Sequence, residues 1–69
     1  MIAQIIVDIK HQAVDQTYDY LIPDALLDDV QKGIRVMVSF GNQTRMGFVV
    51  GLVDKSETAN REIIEILDS

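Results

Sequence analysis

An aspartate between two tyrosines, Tyr18-Asp19-Tyr20, is the segment of the sequence with the clearest chemical potential. In an extended segment the two tyrosines point to one face and Asp19 points to the other. Where such a strand bends or ends, an aromatic ring and a carboxylate can flank one small pocket. The alternative is that both tyrosines pack in a core or across strands while Asp19 faces solvent. The segment alone does not decide between these two arrangements.

The other reactive side chains offer no catalytic arrangement. Asp28 and Asp29 are adjacent beside a predicted helical turn, which is typical of a solvated face. His11 and Asp15 belong to a polar stretch that we expect to form a surface turn, and Ser39 has no histidine near it in a plausible strand pairing. With no cysteine and one histidine, the usual zinc sites and a histidine-paired hydrolase site are excluded. We therefore expect no catalytic residue, no metal ligand and no cofactor in this chain.

Length and charge narrow the function classes further. The chain has 69 residues, which allows one small domain over residues 1–69 and excludes a multi-domain enzyme. Six basic against eleven acidic residues give a net charge of −5, whereas binding to many phosphates requires a basic footprint. The charge is unevenly distributed, because Val30–Val53 carries +3 from Lys32, Arg35 and Arg45 and the rest carries −8. This stretch is either a locally basic surface or ordinary solvated strand charge.

Nothing in the sequence predicts a membrane protein. The apolar runs are far too short for a spanning helix, and the N-terminus has no basic region followed by an apolar stretch. The expectation is a cytoplasmic domain with no membrane partner.

Short strands are the elements that must position these side chains. The segment Ile34–Phe40 alternates strictly, with Ile34, Val36, Val38 and Phe40 on one face. Four further segments favour strand. The last of them is ambiguous with helix and is assigned to strand on its isoleucines and on the barrel closure it would supply. The four segments are Met1–Ile9, Thr17–Ile22 (closed by Pro23), Thr44–Val53 and Arg61–Leu67.

The connections between these strands are also marked in the sequence. Asp24 can cap a short helical turn that places Val30 on the inner side and ends at Gly33. A turn at 41–43 predicts a hairpin, and a polar loop occupies 54–60. Gly47 and Gly51 interrupt a strand and suggest bulges or bends. The predicted fold is mainly β with one short helical turn, a small OB-like, strongly bent sheet or barrel of about five strands.

Four blocks of the sequence, in their order and spacing, resemble a known family. The blocks are Thr17–Pro23 (TYDYLIP), Gly33–Gly41 (GIRVMVSFG), Arg45–Val50 (RMGFVV) and Ile63–Asp68 (IIEILD). They are similar to the N-terminal 3′-DNA-binding domain of PriA, primosomal protein N′, the bacterial replication-restart helicase. No block is specific by itself, and the combination carries the resemblance. Ser39, where the family often has Pro, and Tyr18, where Phe is common, depart from the pattern.

The resemblance implies a non-catalytic module that captures the 3′-hydroxyl terminal nucleotide of a nascent leading strand at stalled replication forks. It implies a terminal-nucleotide pocket formed by Tyr18, Asp19, Tyr20, Gly41 and Arg61. A tyrosine ring would stack on the base, Asp19 would accept a hydrogen bond from the 3′-hydroxyl, and Gly41 would let the backbone approach the nucleotide. Arg61 would pair with a phosphate or steady Asp19, and Lys32, Arg35 and Arg45 are candidate phosphate contacts.

The resemblance also implies a larger protein and its partners. This chain would be the N-terminal fragment of an ATP-dependent helicase whose ATP-binding and zinc-binding segments lie downstream. Its partners would be single-stranded or forked DNA with a free 3′-hydroxyl, the helicase domains in cis and, through the full-length protein, single-stranded-DNA-binding protein and primosome proteins, at the bacterial nucleoid. The alternative is a small β-barrel that docks a protein or a neighbouring domain without DNA-end specificity.

Overall fold

Five antiparallel strands form the domain in the computed structural model, which describes residues 1–10 and 16–68. The strands are β1 (Ile2–Val7), β2 (Tyr18–Leu21), β3 (Arg35–Phe40), β4 (Gln43–Val53) and β5 (Ile63–Ile66). A 3-10 turn at Asp24–Leu26 follows β2, and the described residues contain no α-helix. The predicted mainly-β class, with about five strands and one helical turn, is confirmed. The turn predicted at 11–15 lies outside the described residues.

The strands form one sheet in the order β2-β1-β4-β3-β5, and this sheet curls into a half-barrel. The curl brings the two edge strands toward each other at one point, where the Leu21 N–H donates to the Arg61 carbonyl over 2.8 Å. A parallel bridge between Leu21 and Glu62 marks the same contact. In the described part of the chain, no helix has the length and hydropathy needed to cross a membrane.

The concave face of the sheet holds the core. In β3 the predicted alternation is confirmed, since Val36 and Val38 are fully buried while Ile34 and Phe40 pack against the core from its margins. Val30, predicted on the inner side of the helical turn, is buried as well. The core cluster takes residues from every strand and from the connection after β2: Ala3, Ile5, Val7, Tyr20, Ile22, Val30, Val36, Val38, Val49 and Ile63.

The two glycines of β4 serve different purposes. Next to Gly51 the register with β1 shifts, because Gln4 pairs with Gly51 and Ile5 with Val49, so this strand bulges there as predicted. At Gly47 the pairing is regular on both sides. A Cβ at that position would lie 2.5 Å from Cγ2 of Ile5, so Gly47 is a packing glycine that lets a large core side chain sit against the backbone.

Candidate nucleic-acid interface

An open cleft of about 630 Å³ lies between β2, the end of β3 and the loop that precedes β5. It is lined by every residue predicted for the terminal-nucleotide pocket, namely Tyr18, Asp19, Tyr20, Gly41 and Arg61. The remaining lining residues are Gln4, Gln16, Thr17, Ser39, Phe40, Thr58 and Asn60. The fold therefore brings together the five predicted residues, which span 43 positions from Tyr18 to Arg61, while their role toward DNA stays a prediction.

Tyr20 lines this cleft and is fixed in place by the core of the domain. Its side chain belongs to the core with only 5% exposure, and its hydroxyl donates a hydrogen bond to the Ser39 carbonyl over 2.6 Å. This bond ties edge strand β2 to the end of β3 across the opening of the half-barrel. Burial raises the pKa of the Tyr20 phenol above its ordinary value of 10.0, and the nearby Arg61 charge partly offsets that rise. A ring held in this way has little face left for a base.

Replacing Tyr20 with phenylalanine is expected to lower the free energy of unfolding by about 0.5–1.5 kcal/mol, because the hydroxyl bond to Ser39 is lost. The pH dependence follows from the raised pKa. The folded state keeps its phenol proton at pH values where the unfolded state loses it, so the wild type loses stability as pH rises through 10.0.

Urea unfolding of both proteins at neutral pH and near pH 10.5 checks this expectation. The gap in stability between wild type and Tyr20→Phe should shrink at the alkaline pH, because the variant has no phenol at this position to ionise. A gap that stays constant with pH would contradict it.

Tyr18 and Phe40 form an aromatic corner at the cleft. Their ring centroids are 4.9 Å apart and the rings are nearly perpendicular, at 79°. This edge-to-face arrangement fixes the orientation of Tyr18, which is only half-buried. Sequence reasoning left open which tyrosine offers a stacking surface, and the burial of Tyr20 leaves Tyr18 as the candidate.

Hydroxyl groups of the loop between β4 and β5 hold the Asp19 carboxylate. The Ser56 hydroxyl donates to Oδ2 over 2.6 Å, and the Thr58 hydroxyl approaches the same oxygen at 3.5 Å. Among residues 1–10 and 16–68, no hydrogen bond reaches Oδ1. Asp19 thus presents an acceptor at the cleft whose Oδ2 is bonded and whose Oδ1 has no hydrogen-bond partner among the described residues.

Arg61 connects the loop before β5 to the β3–β4 hairpin. Its Nη1 donates to the Gly41 carbonyl over 2.9 Å. Gly41 and Asn42 form the two-residue turn between Phe40 and Gln43, and Gly41 has a φ of +61°, a conformation that favours glycine. No ion pair joins Arg61 to Asp19 in the described part of the chain. The role of steadying Asp19, one of two predicted for Arg61, is filled here by the hydroxyls of Ser56 and Thr58.

The three candidate phosphate contacts lie elsewhere. Lys32 lies in the turn before β3, Arg35 begins β3, and Arg45 is on β4 opposite Val38. Arg35 is engaged by Asp68, to which its Nε donates over 2.8 Å. None of the three lines the cleft. The predicted basic stretch is therefore divided over separate positions, and among the described residues Arg61 is the cation that lines the cleft.

Several residues that line the cleft or hold its side chains were not predicted from the sequence. Phe40 had a usable signal, because it was placed on the inner face directly before the glycine of the hairpin turn. Ser56 and Thr58, which hold Asp19, carried none: they belong to a polar loop 37 and 39 residues away, and only the folded topology brings them to β2.

Comparison with known proteins identifies the family of the chain. The family model for the 3′DNA-binding domain (3′BD) of PriA matches residues 4–69. The replication restart protein PriA of Bacillus subtilis (strain 168) is 35% identical over 66 residues, which cover 96% of this chain and 8% of that protein. The chain thus spans a small part of the relative's length. On these matches, the chain belongs to the family of PriA 3′ DNA-binding domains.

Proposed function

We propose that this domain captures the 3′-hydroxyl terminal nucleotide of a nascent leading strand at a stalled fork. In a longer protein it would direct a restart helicase to that end, in the cytoplasm where the chromosome lies. The observation that carries the proposal is a carboxylate, Asp19, placed in the same open cleft as a positive charge, Arg61, and an aromatic face, Tyr18.

Asp19 distinguishes an end from the interior of a strand. A free 3′-hydroxyl is a donor, and a carboxylate acceptor makes a short, charge-assisted hydrogen bond with it. Inside a strand the same oxygen carries a phosphate. Two like charges about 4 Å apart repel by about 1 kcal/mol in water and about 4 kcal/mol at the effective dielectric near a protein surface. The carboxylate thus favours the terminus and rejects the interior.

Tyr18 would hold the base of the terminal nucleotide. Stacking on an aromatic ring contributes about 1–3 kcal/mol per base and tolerates every base, because each has a flat face. Phe40 keeps the ring in place before DNA arrives. A domain that recognises the end of any nascent strand must bind the terminal nucleotide whichever base it carries.

Arg61 would take the phosphate that precedes the terminal nucleotide. One arm of its guanidinium is anchored on the Gly41 carbonyl, and the fork retains further N–H donors suited to phosphate. With one or two phosphates contacted, the logarithm of the binding constant should fall with the logarithm of salt with a slope of only about −0.7 to −1.4. A domain with a net charge of −5 is compatible with this mode of binding.

Fluorescence anisotropy with two versions of one single-stranded oligonucleotide tests the proposal. Both carry the dye at the 5′ end, and they differ only in a 3′-hydroxyl or a 3′-phosphate. We expect at least about fivefold tighter binding to the hydroxyl end, from the charge repulsion of about 1 kcal/mol or more at the phosphate. A circular strand of the same composition, which has no end, should compete as poorly as the phosphate form. Equal affinity for all three DNAs would refute end capture.

A protein-docking role is the second candidate, and exposed apolar side chains on β4 favour it. Phe48 and Val50 are 42% and 40% exposed on the side of the sheet away from the core. Exposed apolar groups of this kind are found at contacts with another protein surface. If docking were the sole role, the end-selectivity described above would be absent from the wild-type domain.

A further inference from the structure

The loop that follows β4 is built around the hydroxyl of Ser56. This oxygen accepts hydrogen bonds from the main-chain N–H groups of Thr58 and Ala59, each over 3.1 Å. It also donates to Oδ2 of Asp19 over 2.6 Å. The Thr58 hydroxyl lies 3.2 Å from Ser56 Oγ and 3.5 Å from the same carboxylate oxygen. The side-chain hydroxyls of this tight turn thus form hydrogen bonds with one carboxylate oxygen of Asp19.

The hydrogen-bonding capacity of serine determines which partner donates in the bond between Ser56 and Asp19. A hydroxyl has one proton to donate and two lone pairs that accept. Two main-chain N–H groups point at Ser56 Oγ, so its lone pairs are engaged and its single proton is directed to Asp19. The loop therefore presents a donor to Oδ2, and reversal of this bond would break the turn.

We propose that Ser56 is a positioning residue for DNA-end recognition: it holds the Asp19 carboxylate so that Oδ2 is occupied and Oδ1 receives the terminal 3′-hydroxyl. The inference rests on the proposed function and adds the contact that positions the Asp19 carboxylate for the 3′-hydroxyl. A carboxylate on edge strand β2 that is free to rotate would lose entropy when it binds the hydroxyl. A carboxylate already fixed by Ser56 does not, so the loop pre-organises the site.

A double-mutant cycle tests this role. The probes are one oligonucleotide with a 3′-hydroxyl and the same oligonucleotide with a 3′-dideoxy terminus, which lacks only the hydroxyl. Their affinity ratio is compared in wild type, Ser56→Ala, Asp19→Ala and the double variant. We expect a wild-type ratio on the order of tenfold, and a ratio reduced to about threefold or less in Ser56→Ala. In the Asp19→Ala background, Ser56→Ala should change the ratio no further.

Two controls separate positioning from general damage to the loop. Ser56→Thr retains the hydroxyl and should restore the ratio, and loss of loop structure alone would weaken both probes equally. If Ser56→Ala does not fold, Ser56→Cys, a weak donor and acceptor, replaces it in the cycle.

The possible outcomes separate a failure of the proposed function from a failure of the positioning role of Ser56. A ratio close to one in the wild type would refute the proposed function and with it this inference. A wild-type ratio that Asp19→Ala abolishes and Ser56→Ala leaves intact would refute the positioning role alone.

Discussion

Replacing Asp19 with asparagine is expected to abolish the preference for a 3′-hydroxyl end and to make a 3′-phosphate end acceptable. The reason lies in the donor at Ser56, which requires an acceptor at the position of Oδ2. The asparagine amide must therefore turn its oxygen toward Ser56 and its NH₂ group toward the position of Oδ1. An NH₂ group cannot accept a bond from the hydroxyl, so the charge-assisted bond is lost and only a neutral bond that the hydroxyl oxygen accepts can replace it, whereas the NH₂ group donates to a charged phosphate.

The expected size of this effect is large. Loss of a hydrogen bond to a charged group corresponds to about 1.5–3 kcal/mol, which is roughly a 10- to 150-fold weaker binding of the hydroxyl end. Binding of the phosphate end should become tighter, because the like-charge repulsion is gone. Anisotropy titrations with both oligonucleotides measure the two changes separately.

Asp28→Asn is the matched control for this variant. It removes the same charge from an exposed residue that does not line the cleft. We expect it to leave the ratio of hydroxyl to phosphate affinity as in the wild type. An Asp19→Asn protein that still prefers the hydroxyl end, or an Asp28→Asn protein that loses the preference, would contradict the assignment of end-selectivity to Asp19.

Truncation of Ile5 to alanine is expected to destabilise the domain by about 2–5 kcal/mol. Ile5 is fully buried on β1, one of the inner strands of the sheet, and it rests against the bare backbone at Gly47. A methyl group cannot refill the space. Because small domains have roughly 0.05–0.15 kcal/mol of stability per residue, a loss of this size leaves a measurable unfolded fraction.

Urea unfolding followed by circular dichroism measures this loss, with Ile64→Ala as its control. Ile64 is the same residue type but is 50% exposed on β5, beside the point where the register with β3 shifts. Its truncation should change stability by no more than about 0.5 kcal/mol. Equal midpoints for the two variants would show that the concave face is not the core.

The strands were predictable where one face is buried and the other is not. In β3 the buried Val36 and Val38 alternate with the more exposed Arg35, Met37 and Ser39, and this alternation reports the concave face directly. Arg61–Leu67 gave no such pattern, because the ladder with β3 shifts register at Met37 and Val38, and this breaks the period of two in β5. Its assignment as a strand came from its isoleucines and from the barrel closure it would supply; the strand is confirmed at Ile63–Ile66, whereas the sheet stays a half-barrel whose edges meet only at the Leu21–Glu62 bridge.

The arrangement of the candidate site was harder to predict from the sequence than the strands were. Alternation places Tyr18 and Tyr20 on the same face, yet Tyr20 enters the core and Tyr18 remains at its margin. The difference arises from where the curled sheet ends, which no local pattern encodes. The hydrogen bond from Ser56 to Asp19 likewise requires that the loop fold over a strand that is distant in sequence. Such contacts follow from topology and not from periodicity.

Amide chemical shifts of the ¹⁵N-labelled domain, recorded while a short single-stranded oligonucleotide is added, test end capture most directly. With a 3′-hydroxyl end, we predict shifts concentrated at Tyr18–Tyr20, Gly41 and Arg61, and the same residues should stay nearly unchanged with a 3′-phosphate end at equal concentration. Identical shifts with both ends, or shifts confined to Lys32 and Arg35, would contradict the capture of a free 3′ terminus in this cleft.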